Sequence, residues 1–284
     1  MSKPTKSQFP NLGYFLEYRF WEDAIRLLKF QLHMKLKNKH FNTVSLFYYE
    51  KLVGKANKTE TPDYFNDNVS NNLFYGLEKE YWVIPYTVPK ANLGLRKYKF
   101  FSYLMRIVYY AIGLYLVQLS QKFLSEYYLK YGKHIYAKYG GHLRFDEKTK
   151  KLIISYDGVW YKSHYQGFRN KVIKMTETSP DKQTVIHLDI QNYYDDIDIT
   201  TLLKLLEDFT EPAIKKLLSF DAVSQGQIES YLNYVQGNRL GIPQSDNDII
   251  SSYIGYLYLV FADLFIEQEI LLHNGIIEDY QIIR

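Results

Sequence analysis

Thr184-Val-Ile-His-Leu-Asp189-Ile-Gln-Asn-Tyr193-Tyr194-Asp-Asp-Ile197 is the stretch on which the reading of this chain turns. Thr184 to Ile190 is a short β-branched run. It predicts a buried strand that ends in a carboxylate, Asp189. A carboxylate in that position is costly unless it is paired or binds a metal. Two aromatic residues follow four and five positions later, and then aliphatic Ile197. Asp195, Asp196 and Asp198 crowd the approach to the next helical pattern. Asp198 or Thr200 suits the N-cap of a helix starting near Thr201, and acids there complement its dipole, so all three read as structural. A bland account of the whole stretch also exists: Asp189 caps a turn, and Tyr193 and Tyr194 pack in a core.

Further along, Gly237-Asn-Arg-Leu-Gly241-Ile-Pro243-Gln244 precedes Ile250-Ser251-Ser252 and then Gly255-Tyr-Leu-Tyr258-Leu-Val-Phe-Ala-Asp263. A Gly-Pro turn before an apolar helix gives a small, flexible loop that lets backbone approach a ligand. Upstream, Tyr81 to Ser125 contains no Asp or Glu, yet it carries Lys90, Arg96, Lys97, Lys99, Arg106 and Lys122. Such a stretch is unlike an ordinary mixed surface and suits contact with phosphate, although a solvated basic face would look similar.

These segments together resemble reverse transcriptases, and among them the abortive-infection group used in bacterial phage defence. The first stretch is similar to motif A, whose pattern is Asp-apolar-x-x-aromatic-aromatic-x-x-Ile. Gly241-Ile-Pro243-Gln244 is similar to motif B, and it lies about 50 residues downstream, as in that family. Motif B departs from the pattern in having Ser245 where a Gly is usual, and in a longer spacing to Ser251 and Tyr258. Pro89-Lys90 and Arg96-Lys97-Tyr98-Lys99 resemble the fingers element. The resemblance implies Asp189 as a catalytic metal ligand, with the backbone carbonyl of Ile190 beside it, and Mg²⁺ or Mn²⁺ as cofactor. It implies Tyr194 under the sugar of an incoming dNTP, where it discriminates against a 2′-hydroxyl. Pro243 and Gln244 would approach the nucleotide, and Lys90 and Arg96 would hold the triphosphate or the template backbone of DNA or RNA. Relatives in phage defence further imply untemplated, protein-primed synthesis.

The implied fold is an α+β right-hand polymerase. It comprises a helical N-terminal segment over 1–80, fingers over 81–175, and an incomplete ferredoxin-like palm over 176–284. Ile276 to Arg284 reads as a strand that in the relatives runs into an Arg just before motif C, the hairpin bearing Tyr-x-Asp-Asp. The resemblance therefore places that hairpin beyond Arg284, and Asp279 stands at the start of the strand with no second Asp after it. The expectation is a chain inactive alone, completed by a partner chain or by self-oligomerisation. The alternative from a different class is a non-catalytic nucleic-acid-binding or assembly module.

Composition sets the outer bounds. The chain has 284 residues, 46% hydrophobic and 23% charged, with a net charge of +4. A chain of this length buries roughly 70–75% of its unfolded surface, which is enough for a core without staples. The absence of cysteine excludes a disulfide scaffold, a thiolate zinc site and a cysteine nucleophile. No phosphate loop, His-Glu-x-x-His helix or Gly-x-Ser-x-Gly elbow occurs, and the seven His show no metal spacing. An N-terminus without an apolar run predicts a cytoplasmic protein. The 29 Tyr and 17 Phe suit base stacking, but AT-rich codons explain them as well, because only Arg19, 26, 96, 106, 144, 169, 239 and 284 are Arg among 35 basic residues.

Periodicity predicts an amphipathic helix over 14–36, short helical pieces or loop over 54–75, and a hairpin over 142–156 around a charged turn. It also predicts a basic helix over 160–176, two or three helices over 200–236, and a long apolar helix over 249–272. Phe100 to Leu119 is the one candidate for a membrane span. Arg106 in its middle argues instead for a buried core helix.

Overall fold

The computed structural model describes residues 11–38, 42–53, 58–71, 78–80, 82–89, 94–136, 143–154, 161–178, 186, 190, 192–244, 248–272 and 282–283. In chain order the elements are α1 (Tyr18–Lys37), α2 (Thr43–Leu52), α3 (Pro62–Phe65), β1 (Val83–Pro89), β2 (Leu95–Phe101), α4 (Tyr103–Tyr131), β3 (Ile135–Tyr136), β4 (Arg144–Phe145) and β5 (Leu152–Ile153). They continue with α5 (Tyr161–Thr178), α6 (Ile199–Phe209), α7 (Pro212–Leu217), α8 (Ala222–Gln236), α9 (Ile249–Leu272) and β6 (Ile282–Ile283). The fold is mixed α+β and mostly helical. Its described strands form three two-stranded sheets: antiparallel β1–β2 and β4–β5, and parallel β3–β6.

Helix α4 is the axis of the molecule. The Ser102 hydroxyl caps it by accepting the Met105 amide at 3.3 Å. From Leu104 to Val117 every residue is buried. Within its most apolar window 89% of residues are inside the protein, so the helix is long and apolar enough to cross a membrane but is packed as a core helix. Helix α9 passes the same length test with 56% of its window buried. α4 runs on to Tyr131, well past the Leu119 limit read from sequence, because Leu124 and Tyr127 continue its buried face. One hydrophobic cluster extends from Leu12 to Phe261, so the three sequence segments share a core.

Part of the tyrosine excess goes into that core. Tyr48, Tyr109, Tyr110, Tyr115, Tyr231 and Tyr253 are fully buried. Each hydroxyl finds a partner, as buried phenols require: Tyr115 donates to the Leu218 carbonyl at 3.0 Å and Tyr231 to the Met105 carbonyl at 2.6 Å. Tyr253 and Ser120 link α9 to α4 at 2.7 Å. These rings tie helices together through a polar tip on an apolar body.

A hairpin is present within 143–154, with Asp146 accepting the Lys148 and Thr149 amides in its turn. Gln121 of α4 holds it by paired bonds to the Phe145 backbone at 2.7 and 2.9 Å. The expected buried strand over 184–190 lies mostly outside the described residues. Of those described, Ile186 and Ile190 belong to no strand and are exposed. The expectation of burial is corrected at these two positions: a β-branched run buries only against a paired neighbour, and no described strand pairs with either.

Candidate functional site

Three segments far apart in sequence meet at one place. The first is the turn Tyr193–Asp195, a single 3₁₀ turn entered through Asn192 at φ 54°. The second is the loop Gly237–Gln244 after α8, and the third is strand β2. The turn and the loop are joined backbone to backbone: the Ile242 amide donates to the Tyr194 carbonyl at 2.8 Å and the Gly241 amide to the Ile197 carbonyl at 2.9 Å. Strand β2 joins the loop through the Lys99 amide, which donates to the Gln244 carbonyl at 2.7 Å, and joins the end of α8 through Lys99 Nζ, which donates to the Gln236 carbonyl at 3.1 Å.

Gly241 is glycine for a reason beyond flexibility. Its φ is 98°, and a β-carbon there would lie 2.5 Å from the Tyr194 carbonyl oxygen and 2.6 Å from that of Asp195. Only a residue without a side chain lets the two backbones approach. The sequence reading assigned this freedom to approach of a ligand, whereas in the fold it is used by the Tyr193–Asp195 turn.

The aromatic pair is held from the other side by α9. Tyr193 donates its hydroxyl to the Gly255 carbonyl. A β-carbon on Gly255 would stand 3.1 Å from Cε1 of both Tyr193 and Tyr194, so the rings pack across a bare helix backbone. Burial pushes the Tyr194 phenol above its ordinary value, and the Ser252 side chain partly offsets that rise. Tyr98 of β2 lies within electrostatic range of the same phenol.

Arg96 is exposed on β2 and donates to the Tyr98 hydroxyl at a long 3.5 Å. Residues i and i+2 of a strand share a face, so Arg96 lies on the Tyr98 side of the hairpin. Pro243 is buried and Gln244 half-buried, and both carbonyls are engaged inside the protein, by Ser251 Oγ at 2.6 Å and by the Lys99 amide respectively. Ile190 is exposed. Lys90 and Asp189 lie outside the described residues, as does Ser245.

The basic stretch from Tyr81 to Ser125 is not one phosphate-facing surface. Arg106 is buried in an ion pair with Asp248 at 3.3 Å, their side chains 5% and 1% exposed. Lys122 pairs with Glu211. Acids from downstream therefore answer two of the cations in the carboxylate-free stretch, pairings that local composition does not reveal. Lys99, which the sequence offered only as one cation of the fingers-like run, stands at the junction. Burial, and then the neighbouring Arg239 guanidinium, pull its ammonium below the ordinary value, while Asp195 opposes.

The acids after the aromatic pair divide. Asp198 caps α6, accepting the Thr200 amide at 3.1 Å and the Thr201 hydroxyl at 2.6 Å, as expected. Asp195 and Asp196 are exposed. Tyr193-Tyr194-Asp195-Asp196 also has the lettering Tyr-x-Asp-Asp. Here these residues form a 3₁₀ turn rather than the tip of a hairpin, so a motif C register does not fit the backbone. Among the described residues no three His, Asp or Glu side chains gather as a metal cluster.

A cleft of about 320 Å³ opens beside the junction, bordered by Asp198, Glu229, Asn233, Arg239 and Gly241. A scan of known protein families and a search of curated proteins each found no match to this chain.

Proposed function

We propose that this chain carries the nucleotide-binding part of a reverse-transcriptase-like DNA polymerase of the phage-defence type. The observation that carries the reading is the convergence of motif A-like Tyr194, motif B-like Gly241–Gln244 and fingers-like β2 through main-chain hydrogen bonds. About 50 and about 95 residues separate these segments from one another, and a chance likeness of sequence gives no reason for them to meet.

In this reading β2 and the motif B-like loop form two walls of a nucleotide site, with Tyr194 between them. Arg96 and Lys90 supply cations for the triphosphate or for the template backbone, Arg suiting bidentate phosphate contact. The reaction is attack of a 3′-hydroxyl, or of a protein hydroxyl, on the α-phosphate of a dNTP, with pyrophosphate leaving. The Asp189 carboxylate and the Ile190 carbonyl offer hard oxygen donors of the kind that hold Mg²⁺ or Mn²⁺. Such an ion, when bound, supplies positive charge opposite the reacting phosphate. Tyr194 packs against Gly255 and Ser252, which gives its ring a fixed wall to press a sugar against. Asp195 and Asp196 are left as solvated acids and Asp198 as a helix cap.

The test is titration calorimetry of the purified chain with dATP in Mg²⁺, repeated with Asp189→Ala and with Arg96→Ala. Binding that needs Mg²⁺ and is lost in Asp189→Ala supports the reading. Equal binding by wild type and Asp189→Ala overturns the metal assignment, and no dATP binding at all overturns the nucleotide site.

A further inference from the structure

We propose that Ser251 and Tyr109 are positioning residues for this site: from inside the core they fix the motif B-like turn against Tyr194. The proposal deepens the nucleotide-site reading and rests on it only for its second readout.

The geometry is a directed chain of hydrogen bonds. Ser251 Oγ donates to the Pro243 carbonyl at 2.6 Å. A hydroxyl has one proton, so the 2.9 Å contact between Ser251 Oγ and the Tyr109 hydroxyl must run from Tyr109 to Ser251. All of these groups are buried: Tyr109 is 0% and Ser251 3% exposed. The backbone of Ser251 is fixed as well, because Asp248 Oδ1 accepts the Ile250 and Ser251 amides at 3.0 and 2.9 Å while its Oδ2 pairs with Arg106 of α4. The turn thus has one anchor in the core, at Pro243, and three around it: Gln244 bonded to β2, Ile242 bonded to Tyr194, and Gly241 bonded to Ile197.

The buried bond to Pro243 does more than tie the loop to α9. Without it the Pro243 carbonyl is a buried acceptor with no partner, and it can recover one only by moving. Moving it releases the neighbouring carbonyl of Gln244 from β2 and the amide of Ile242 from Tyr194. Tyr109 acts through Ser251, because its donated proton leaves the serine hydrogen no alternative direction.

The experiment is residue-resolved amide exchange on the full chain, for wild type, Ser251→Ala, Ser251→Thr and Tyr109→Phe, with dATP binding in Mg²⁺ measured on the same proteins. Ser251→Ala should speed exchange at the Ile242 and Lys99 amides by about tenfold, while amides in the middle of α4 stay protected. Ser251→Thr should restore protection, and Tyr109→Phe should give a smaller acceleration at the same two amides. Unchanged exchange at both amides in Ser251→Ala, or equal loss of protection throughout α4, overturns the proposal. Should Ser251→Ala fail to fold, Tyr109→Phe decides on the same criterion. If exchange behaves as expected but wild type binds no dATP, the anchoring stands and the nucleotide-site reading fails. If wild type binds dATP and Ser251→Ala binds it equally despite faster exchange, the positioning role is overturned.

Discussion

Gly241 and Tyr194 stand so close that the Tyr194 carbonyl oxygen occupies the space beside the Gly241 α-carbon, 2.5 Å from where a β-carbon would be. The contact joins two segments that sequence analysis linked only by family likeness. Gly241→Ala meets a left-handed backbone and two carbonyl oxygens at once. A strained backbone of this kind costs roughly 1–3 kcal/mol before any clash is counted. Urea unfolding should show at least that loss; an Ala variant as stable as wild type would mean the two segments do not touch in this way.

The Arg106–Asp248 pair is buried between the first turn of α4 and the residue just before α9. The guanidinium also lies 4.6 Å above the Tyr48 ring and donates to the Tyr110 hydroxyl at 3.3 Å. Removing one partner of a buried pair leaves the other charge uncompensated, at about 3–5 kcal/mol. Arg106→Met should therefore destabilise strongly, while the double change Arg106→Met with Asp248→Asn should recover part of the loss. Additive effects in the double variant would show that the pair is not coupled.

Helix α8 delivers the motif B-like loop, and its N-terminus depends on Asp221. That carboxylate accepts the Val223 and Ser224 amides at 2.9 and 3.0 Å and a hydrogen bond from the Tyr14 hydroxyl. The Tyr14 bond first, and the Ser224 amide next, hold the Asp221 carboxyl below its ordinary value. A folded value below the unfolded one gives stability that is present above the unfolded pKa and is lost as pH falls through the folded one. Wild type should thus exceed Asp221→Ala in thermal stability at neutral pH, and the gap should narrow on acidification below about pH 4. A gap independent of pH would place the effect in the backbone and not in the carboxylate.

Tyr194 is the residue on which sugar choice rests in the proposed reaction. In any active assembly containing this chain, Tyr194→Ala should raise ribonucleotide relative to deoxyribonucleotide incorporation roughly tenfold or more, the worth of one well-placed steric contact. Tyr194→Phe keeps the ring and should keep the discrimination. Unchanged discrimination in Tyr194→Ala would show that the register from Asp189 is wrong.

Much of the fold was legible because it is written in local pattern. The 160–176 helix, the charged hairpin turn and the core status of the Arg106 helix follow from periodicity, turn chemistry and the cost of a buried charge. The apolar stretch that ends at Leu119 does not show how far α4 runs, because Gln121 looks like a surface residue. It is instead the polar clamp on the Phe145 backbone, 24 residues away. The junction itself was half legible. Motif likeness pointed to Tyr194, Pro243 and Gln244; it named Lys99 and Ser251 only as letters of the motifs, not as what holds that group together, and it did not name Asp248. Those roles are set by contacts across more than a hundred residues, Lys99 to Gln236 and Arg106 to Asp248, and no window along the chain contains both partners.

The most direct measurement of the central claim is photo-crosslinking of the 284-residue chain with an azido-dATP in Mg²⁺, with adducts mapped by mass spectrometry. The account predicts saturable labelling, competed by unlabelled dATP, in peptides carrying Asp189–Tyr194, Arg239–Gln244 or Arg96–Lys99. Labelling confined to other parts of the chain, or labelling that unlabelled dATP does not compete, would contradict it.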